Sequence, residues 1–331
     1  MPTLEEIALR AGCSMATVSR VLNRGGPASE GMVRRVRKAA SDLGYHRADR
    51  PNPGTRRRPV VGVLIPSITN PVFAASLSGI QNRMRVAGHG VLIAQSDYDP
   101  AREIDAVEYL LAEKPTGLIL TVCDPVRSQH ALPVQLPPTV LLNNLPNARF
   151  PAAVTVDNRF AGREIAEHLI EHGHRDILFV SGHFEASDRA RLRYDGYCEA
   201  MLAAGLPVLD ALQIPFVTGY DGLDLGLAMH RPRPTAIIAS NDLLALGVIG
   251  ALRREGLSVP DHVSVTGFDG IPIGRLMHPQ LTTIEMADAS MGATAASLLL
   301  DMAENSAAPR HLRLAHKLNP GGTVRRISTA N

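Results

Sequence analysis

Residues 3–23 read TLEEIALRAGCSMATVSRVLN, and this stretch decides how the front of the chain folds. Thr3 and Glu6 have the Thr-x-x-Glu spacing of a capping box, in which hydroxyl and carboxylate each satisfy an orphan N–H of the first turn, so a helix starts here. Leu4, Ile7 and Ala8 give that helix one apolar face, and Gly12 interrupts it with a residue suited to a tight turn. Ser14 then caps a second helix, in which Val18, Val21 and Leu22 form the stripe to be buried while Met15, Ala16, Thr17, Ser19, Arg20 and Asn23 point elsewhere. Two short helices joined by a tight turn are the geometry that lays the second in the DNA major groove. A third helix follows the Pro27-Ala28-Ser29 cap, buries Val33, Val36, Ala40 and Leu43, exposes Arg34, Arg35, Arg37 and Lys38, and ends at Gly44.

Charge agrees with that geometry. The 331 residues carry a net charge of +2, yet residues 1–58 hold 12 Lys+Arg against 5 Asp+Glu, a balance of +7, which leaves −5 for the remainder. A basic front on a mildly acidic body suits nucleic-acid contact at one end and a different partner at the other. The hydrophobic content of 45% is that of a protein with real cores. Its apolar runs, such as residues 60–65 and 236–239, fall far short of the roughly 20 residues that cross a bilayer. Charged residues throughout 1–30 leave no apolar core for a secretory signal. Cys13, Cys123 and Cys198 are odd in number and scattered, which fits neither a disulfide framework nor a metal cluster. These features predict a cytoplasmic protein without a membrane segment, metal or cofactor.

Residues 47–59 contain Pro51, Pro53, Gly54 and Pro59 together with Arg56, Arg57 and Arg58. Prolines forbid a continuous helix and like charges repel, so this stretch reads as a basic linker between a head (1–46) and a body (60–331). From Val60 onward, short β-branched runs alternate with helical periods. Strands are expected near 60–65, 91–95, 117–121, 139–143, 153–156, 176–180, 213–216, 236–240 and 263–267, and helices near 72–87, 100–113, 160–172, 192–204, 222–230 and 242–255. Such alternation predicts an α/β body of doubly wound parallel sheets, and nine or so strands suit two lobes with a ligand cleft between them. Asp269 and Asn241 each follow a strand and offer hydrogen-bonding groups to a ligand, although an Asn241-Asp242 pair is equally suited to capping a helix.

The run Ala8-x-x-Ala11-Gly12-x-Ser14-x-x-Thr17-Val18-Ser19-Arg20-Val21-Leu22-Asn23, with Leu43-Gly44-Tyr45, resembles the head of the LacI/GalR repressor family. In the body the resemblance continues through residues 62–66, Asn70-Pro71-x-Phe73, Val156-Asp157-Asn158, Gly173-His174-Arg175, Arg191-x-Arg193-x-x-Gly196-Tyr197, Ser240-Asn241-Asp242, Gly267-Phe268-Asp269 and Leu281-Thr282-Thr283-Ile284. It implies a periplasmic-binding-protein-like body, with one lobe about 60–157 and 287–312 and the other about 158–284 and 313–328. It further implies that Met15 and Ala16 read bases, that Arg20 makes a base contact, and that Thr17, Ser19 and Asn23 chiefly hold phosphates, with Thr3 and Ser14 at the same surface. At the matching family positions Arg193 clamps a ligand oxygen or carboxylate and Asp269 binds beside it. Of the other effector-site candidates, Asn241 follows a strand, Ser67, Asn70 and Phe73 follow the first strand, and Asn143 ends the fourth, while His183, Arg189, Arg191 and Arg193 make the mouth of the second lobe basic, which suits an anionic ligand such as a sugar acid.

The linker departs from the family pattern of an Ala-rich hinge carrying a minor-groove leucine, since no leucine lies between Leu43 and Leu64. Here Arg56, Arg57 and Arg58 either track phosphates or serve as a soluble tether. The expected function is a sequence-specific repressor, a homodimer or a tetramer, released from double-stranded operator DNA by a sugar or sugar acid that closes the lobes. A regulator needing a co-repressor or a protein co-regulator is the alternative. A sugar-binding protein or sugar-processing enzyme is the rival from another class. No Walker A loop, Gly-x-Ser-x-Gly elbow or Gly-x-Gly-x-x-Gly after the first strand supports an enzyme. His168-x-x-Glu171-His172 spells an inverted zinc-peptidase pattern, but the helix ends at Gly173, where histidines suit the free carbonyls of a last turn.

Overall fold

The computed structural model describes residues 2–23, 28–45, 58–216, 220–229 and 233–327, and the chain divides into two compact units, residues 1–57 and 58–331. The first unit contains α1 (Leu4–Ala11), α2 (Met15–Asn23) and α3 (Glu30–Asp42). The capping box closes as its spacing requires: Glu6 N donates to Thr3 Oγ1 at 3.2 Å, and Thr3 N donates to the Glu6 carboxylate at 2.7 Å. Gly12 takes φ +63°, the left-handed value that ends α1 and turns the chain into α2. Ile7, Val18 and Val36 are fully buried, one from each helix, with Ala8, Ala11, Val21, Ala39 and Ala40 around them. Burying a side chain of that size contributes about 1.5–3 kcal/mol, so three such residues hold a very small core. Val33 and Leu43, expected to be buried with Val36 and Ala40, are only half-buried, near the start of α3 and at its C-cap.

The second unit holds two six-stranded sheets. The first comprises β1 (Val60–Ile65), β2 (Gly90–Gln95), β3 (Leu118–Leu120), β4 (Thr139–Leu142), β5 (Ala153–Val156) and β11 (His311–Leu314), all parallel, in the order β11-β5-β4-β3-β1-β2. Its helices are α4 (Pro71–Val86), α5 (Pro100–Ala112), α6 (Pro125–Ala131) and α11 (Asp288–Asn305). The second sheet comprises β6 (Ile177–Gly182), β7 (Leu212–Ile214), β8 (Ala236–Ala239), β9 (Ser264–Asp269), β10 (Thr282–Glu285) and β12 (Lys317–Asn319), in the order β12-β10-β9-β8-β6-β7, with β12 alone antiparallel. It carries α7 (Asn158–Glu171), α8 (Asp188–Ala203), α9 (Asp242–Arg254) and α10 (Pro272–Leu276). The chain passes between the lobes three times: after β5, between β10 and α11, and between β11 and β12. Among the described residues, no helix is long and apolar enough to cross a membrane.

Two expected elements differ. No α-helix spans 222–230: Asp224 Oδ1 accepts from Gly226 N at 2.7 Å, Gly226 takes φ +47°, and only a 3₁₀ turn, Gly226–Met229, follows, with His230 outside the described residues. The helix expected from residue 192 begins one turn earlier at Asp188, because Ser187 Oγ accepts from Ala190 N at 3.3 Å and caps it. That earlier start matters for the ligand cleft.

Helices α7 and α8 pack at backbone distance. A Cβ on Gly196 would stand 1.9 Å from the Arg159 carbonyl oxygen, and one on Gly162 would stand 2.0 Å from that of Arg193. This contact fixes where the Arg193 backbone sits. Gly196→Ala should therefore destabilise the body by about 1–3 kcal/mol or more through overpacking. Gly250→Ala, whose Cβ meets only the far end of Arg254 at 3.7 Å, should leave the thermal midpoint unchanged or slightly raised. Equal midpoints for the two variants in thermal denaturation would contradict the contact.

Candidate functional site

In the first unit, one face of α2 is sealed by Val18 and Val21 while Met15, Ala16 and Arg20 are exposed, Met15 to 54%. Ser14 caps the helix, accepting from Thr17 N at 3.2 Å with its hydroxyl 2.9 Å from Thr17 Oγ1. Arg20 Nε donates to the Ala16 carbonyl at 3.3 Å, which holds the stem of the arginine along the exposed face. Thr17 and Ser19 flank that face half-buried, and Thr3 sits exposed at the start of α1. The Asn23 side chain, Arg56 and Arg57 lie outside the described residues. Arg58 belongs to the second unit, where its Nε donates to the Gly88 carbonyl at 2.8 Å.

In the second unit, both lobes contribute side chains to one cleft. The first lobe supplies Asn70, Phe73, Tyr98 and Asn143. The second supplies Arg189, Arg193, Phe216, Ser240, Asn241 and Asp269, and Met286 and Asp288 come from the second crossing. Tyr98 stacks on Phe216 across the cleft with ring centroids 4.3 Å apart and planes 10° from parallel. A second bridge joins the lobes where Asn144 Nδ2 donates to Asp188 Oδ1 at 2.9 Å and Asp188 N donates to the Cys123 carbonyl at 2.8 Å.

Arg193 is committed to the protein at every nitrogen. Nε donates to Asn158 Oδ1 at 2.9 Å, Nη1 to the Ser240 carbonyl at 2.6 Å, and Nη2 pairs with Asp269 Oδ1 at 3.1 Å, with the guanidinium 4.7 Å from the centroid of the Phe268 ring. It therefore orients Asp269, which occupies φ +106°, a strained backbone for a non-glycine residue. Burial pushes the Asp269 carboxyl up to about 6 against the opposing pull of Arg193, and pushes Asp188 up to about 6 against that of Arg189. Behind them Asp242 is pushed up to about 8 by burial and by the nearby Asp269; it accepts from Thr283 Oγ1 at 2.6 Å and Ile271 N at 2.8 Å. Burial also holds Asp288 well above the usual carboxylate range, and lifts the Tyr98 phenol to about 12. The cleft thus offers amide, hydroxyl and carboxyl groups between aromatic walls, a surface suited to hydroxyl groups.

The structure gathers Asn70, Phe73, Asn143, Arg193, Asn241 and Asp269 at this cleft. Asn241 does both things its sequence allows: its Oδ1 accepts from Leu244 N at 2.9 Å and caps α9, while its side chain lines the cleft. Ser67 lies farther out, 2.8 Å from Thr69 Oγ1, at the mouth beside Asp97 and Tyr220. His183 does not line the cleft; it is exposed just before the 3₁₀ turn Phe184–Ala186. Arg191 is likewise outside, exposed and 5.7 Å from the Phe184 centroid. Arg189 was not singled out from its neighbours, yet with α8 starting at Asp188 it falls four residues before Arg193 on the same helical face. Tyr98, Phe216, Met286 and Asp288 also reach the cleft, from loops and crossings that no local pattern marks.

His174, in the Gly173-His174-Arg175 fragment, is structural. Its ring lies 3.0 Å from Thr235 Oγ1 and 3.1 Å from the Arg325 carbonyl, and burial lowers its pKa to about 4. His172 Nδ1 donates to the His168 carbonyl at 2.7 Å and so caps the end of α7. Among the described residues, no group of three or more His, Cys, Asp and Glu side chains is placed to hold a metal ion.

The unfolded chain titrates aspartates near 4, so the folded cleft retains protons that unfolding releases. This contribution to stability is complete below about pH 4 and is lost as pH rises through about 6 for Asp188 and Asp269, then about 8 for Asp242. Unfolding free energy plotted against pH should consequently slope less between pH 7 and 9 in Asp242→Asn than in the parent chain. Parallel slopes would contradict a raised Asp242.

Comparison with known proteins comes to the same two units. Residues 3–48 match "Bacterial regulatory proteins, lacI family", and residues 166–324 match "Periplasmic binding protein-like domain". The chain is 32% identical over 330 residues to the HTH-type transcriptional regulator GntR of Escherichia coli, covering 98% of each chain. It is 30% identical over 314 residues to the ribose operon repressor of the same species, covering 91% of this chain and 92% of that one. A crystal structure of a LacI-family transcriptional regulator from Silicibacter pomeroyi superposes with a TM-score of 0.74 at 25% identity, covering 98% of this chain and 100% of the other.

Proposed function

The chain belongs to the lacI family of bacterial regulatory proteins, and from that premise we propose that this DNA-binding transcriptional regulator is a repressor released from its operator by a small carbohydrate-type effector. The observation that carries the reading is the cleft: groups from both lobes wall it, so its occupancy and the angle between the lobes are one equilibrium. A ligand that binds the closed form better shifts that equilibrium by its differential affinity. Hydroxyl-matching groups between aromatic walls support a carbohydrate, as does similarity to a relative named as a ribose operon repressor. Two heads reading paired half-sites need a two-fold axis, which supports a homodimer. The exposed row Met15, Ala16 and Arg20 suits base edges, and arginine is the side chain that pairs bidentately with guanine.

Duplexes selected from a random pool give the test. Arg20→Ala should raise the Kd for the selected duplex about 10–100-fold in fluorescence anisotropy and leave ligand binding to the cleft unchanged. Addition of the effector should weaken the parent chain's binding to that duplex; tighter binding would mark a co-repressor instead. A folded chain that prefers no duplex over competitor DNA at moderate salt would overturn the proposal.

A further inference from the structure

Arg189 is 7% exposed, and its Nη1 donates to the Val122 carbonyl at 3.0 Å and to Asp188 Oδ1 at 3.1 Å. Its Nη2 is buried in the wall of the same cleft and has no hydrogen-bond partner. Leaving a charged donor buried and unsatisfied is costly, more so than for a neutral group. The other arginines of α8 suit this role less: each Arg193 nitrogen already has a protein partner and its charge is paired with Asp269, and Arg191 is exposed outside the cleft. Ser240 Oγ, also in the cleft wall, is buried without a partner too. One nitrogen carrying two N–H groups matches a single carboxylate. A phosphate dianion would need more cationic donors than this wall supplies.

We propose that the effector is a monosaccharide-sized polyhydroxy acid whose carboxylate is held by Arg189 Nη2, with its hydroxyls on the side chains of Asn70, Asn143, Asn241 and Asp269. The inference rests on the cleft being the effector site. It makes Arg189 the residue that distinguishes sugar acids from neutral sugars. Arg193 is then a positioning residue acting through Asp269.

Calorimetric titration of the full chain tests it, with D-gluconate, D-galactonate, D-glucuronate and D-galacturonate set against D-glucose, D-galactose, D-glucitol and glucose 6-phosphate. At least one acid should bind about 10–100-fold more tightly than its neutral counterpart and than the phosphate ester. Replacing that acid by its primary amide should cost the parent chain a similar factor and cost Arg189→Gln almost nothing, while Arg189→Lys should keep part of the preference. If Arg189→Gln weakens acid and amide equally, Arg189 only braces the closed lobes and the inference fails. Preference for neutral sugars or for the phosphate ester overturns the carboxylate while leaving the effector reading intact. Failure of the whole panel to bind a chain that still selects a duplex overturns both.

Discussion

The body depends on one constraint of connectivity. A parallel sheet cannot be closed by hairpins, so each lobe returns its chain through helices, and the chain passes between the two sheets at only three places. Short segments make all three passages, and no helix or strand continues across them. Two of them are tied down close to the boundary, where Arg313 Nη1 reaches Asp157 Oδ2 at 2.9 Å and His316 Nε2 lies 3.2 Å from Glu164 Oε2. Each lobe keeps its own sheet, and the angle between the two is the coordinate that the proposed effector would bias.

That coordinate places chemistry where it has consequences. The contacts that span the lobes include the Tyr98–Phe216 stack, the Asn144–Asp188 hydrogen bond, and the Arg189 bond to the Val122 carbonyl. On the proposed reading, an effector that favours the closed form biases these contacts by its differential affinity. Within the second lobe, the backbone contact of α7 with α8 sets the Arg193 position, and Arg193 in turn sets Asp269. The aspartates at and behind the cleft have raised pKa values because burial disfavours their charged forms. A site built this way is polar and already oriented.

Much of this was legible in the sequence where the signal is local. The capping box at Thr3, the stripe of α2, the strand runs and the polar residues at strand ends depend on neighbours a few positions apart. The features that escaped are those decided by distant packing. Helix α11 is buried over most of its surface, from Met291 to Leu300, so its apolar residues show no clear amphipathic period. The start of α8 at Asp188 rests on the Ser187 cap, and that start decides that Arg189 lines the cleft while His183 and Arg191 do not. Tyr98 and Asp288 reach the site only because the lobes fold against each other. The 222–230 segment carried a helical composition, but the Asp224–Gly226 turn overrode it.

The central claim is that cleft and DNA-binding surface share one equilibrium, which thermodynamics requires to be reciprocal. The direct measurement takes the tightest-binding sugar or sugar acid and a selected duplex, and titrates each into the full chain in the presence and absence of the other. The account predicts that both affinities change by the same factor, about tenfold or more. Affinities that do not change at all, with both ligands bound to the folded chain, would contradict it.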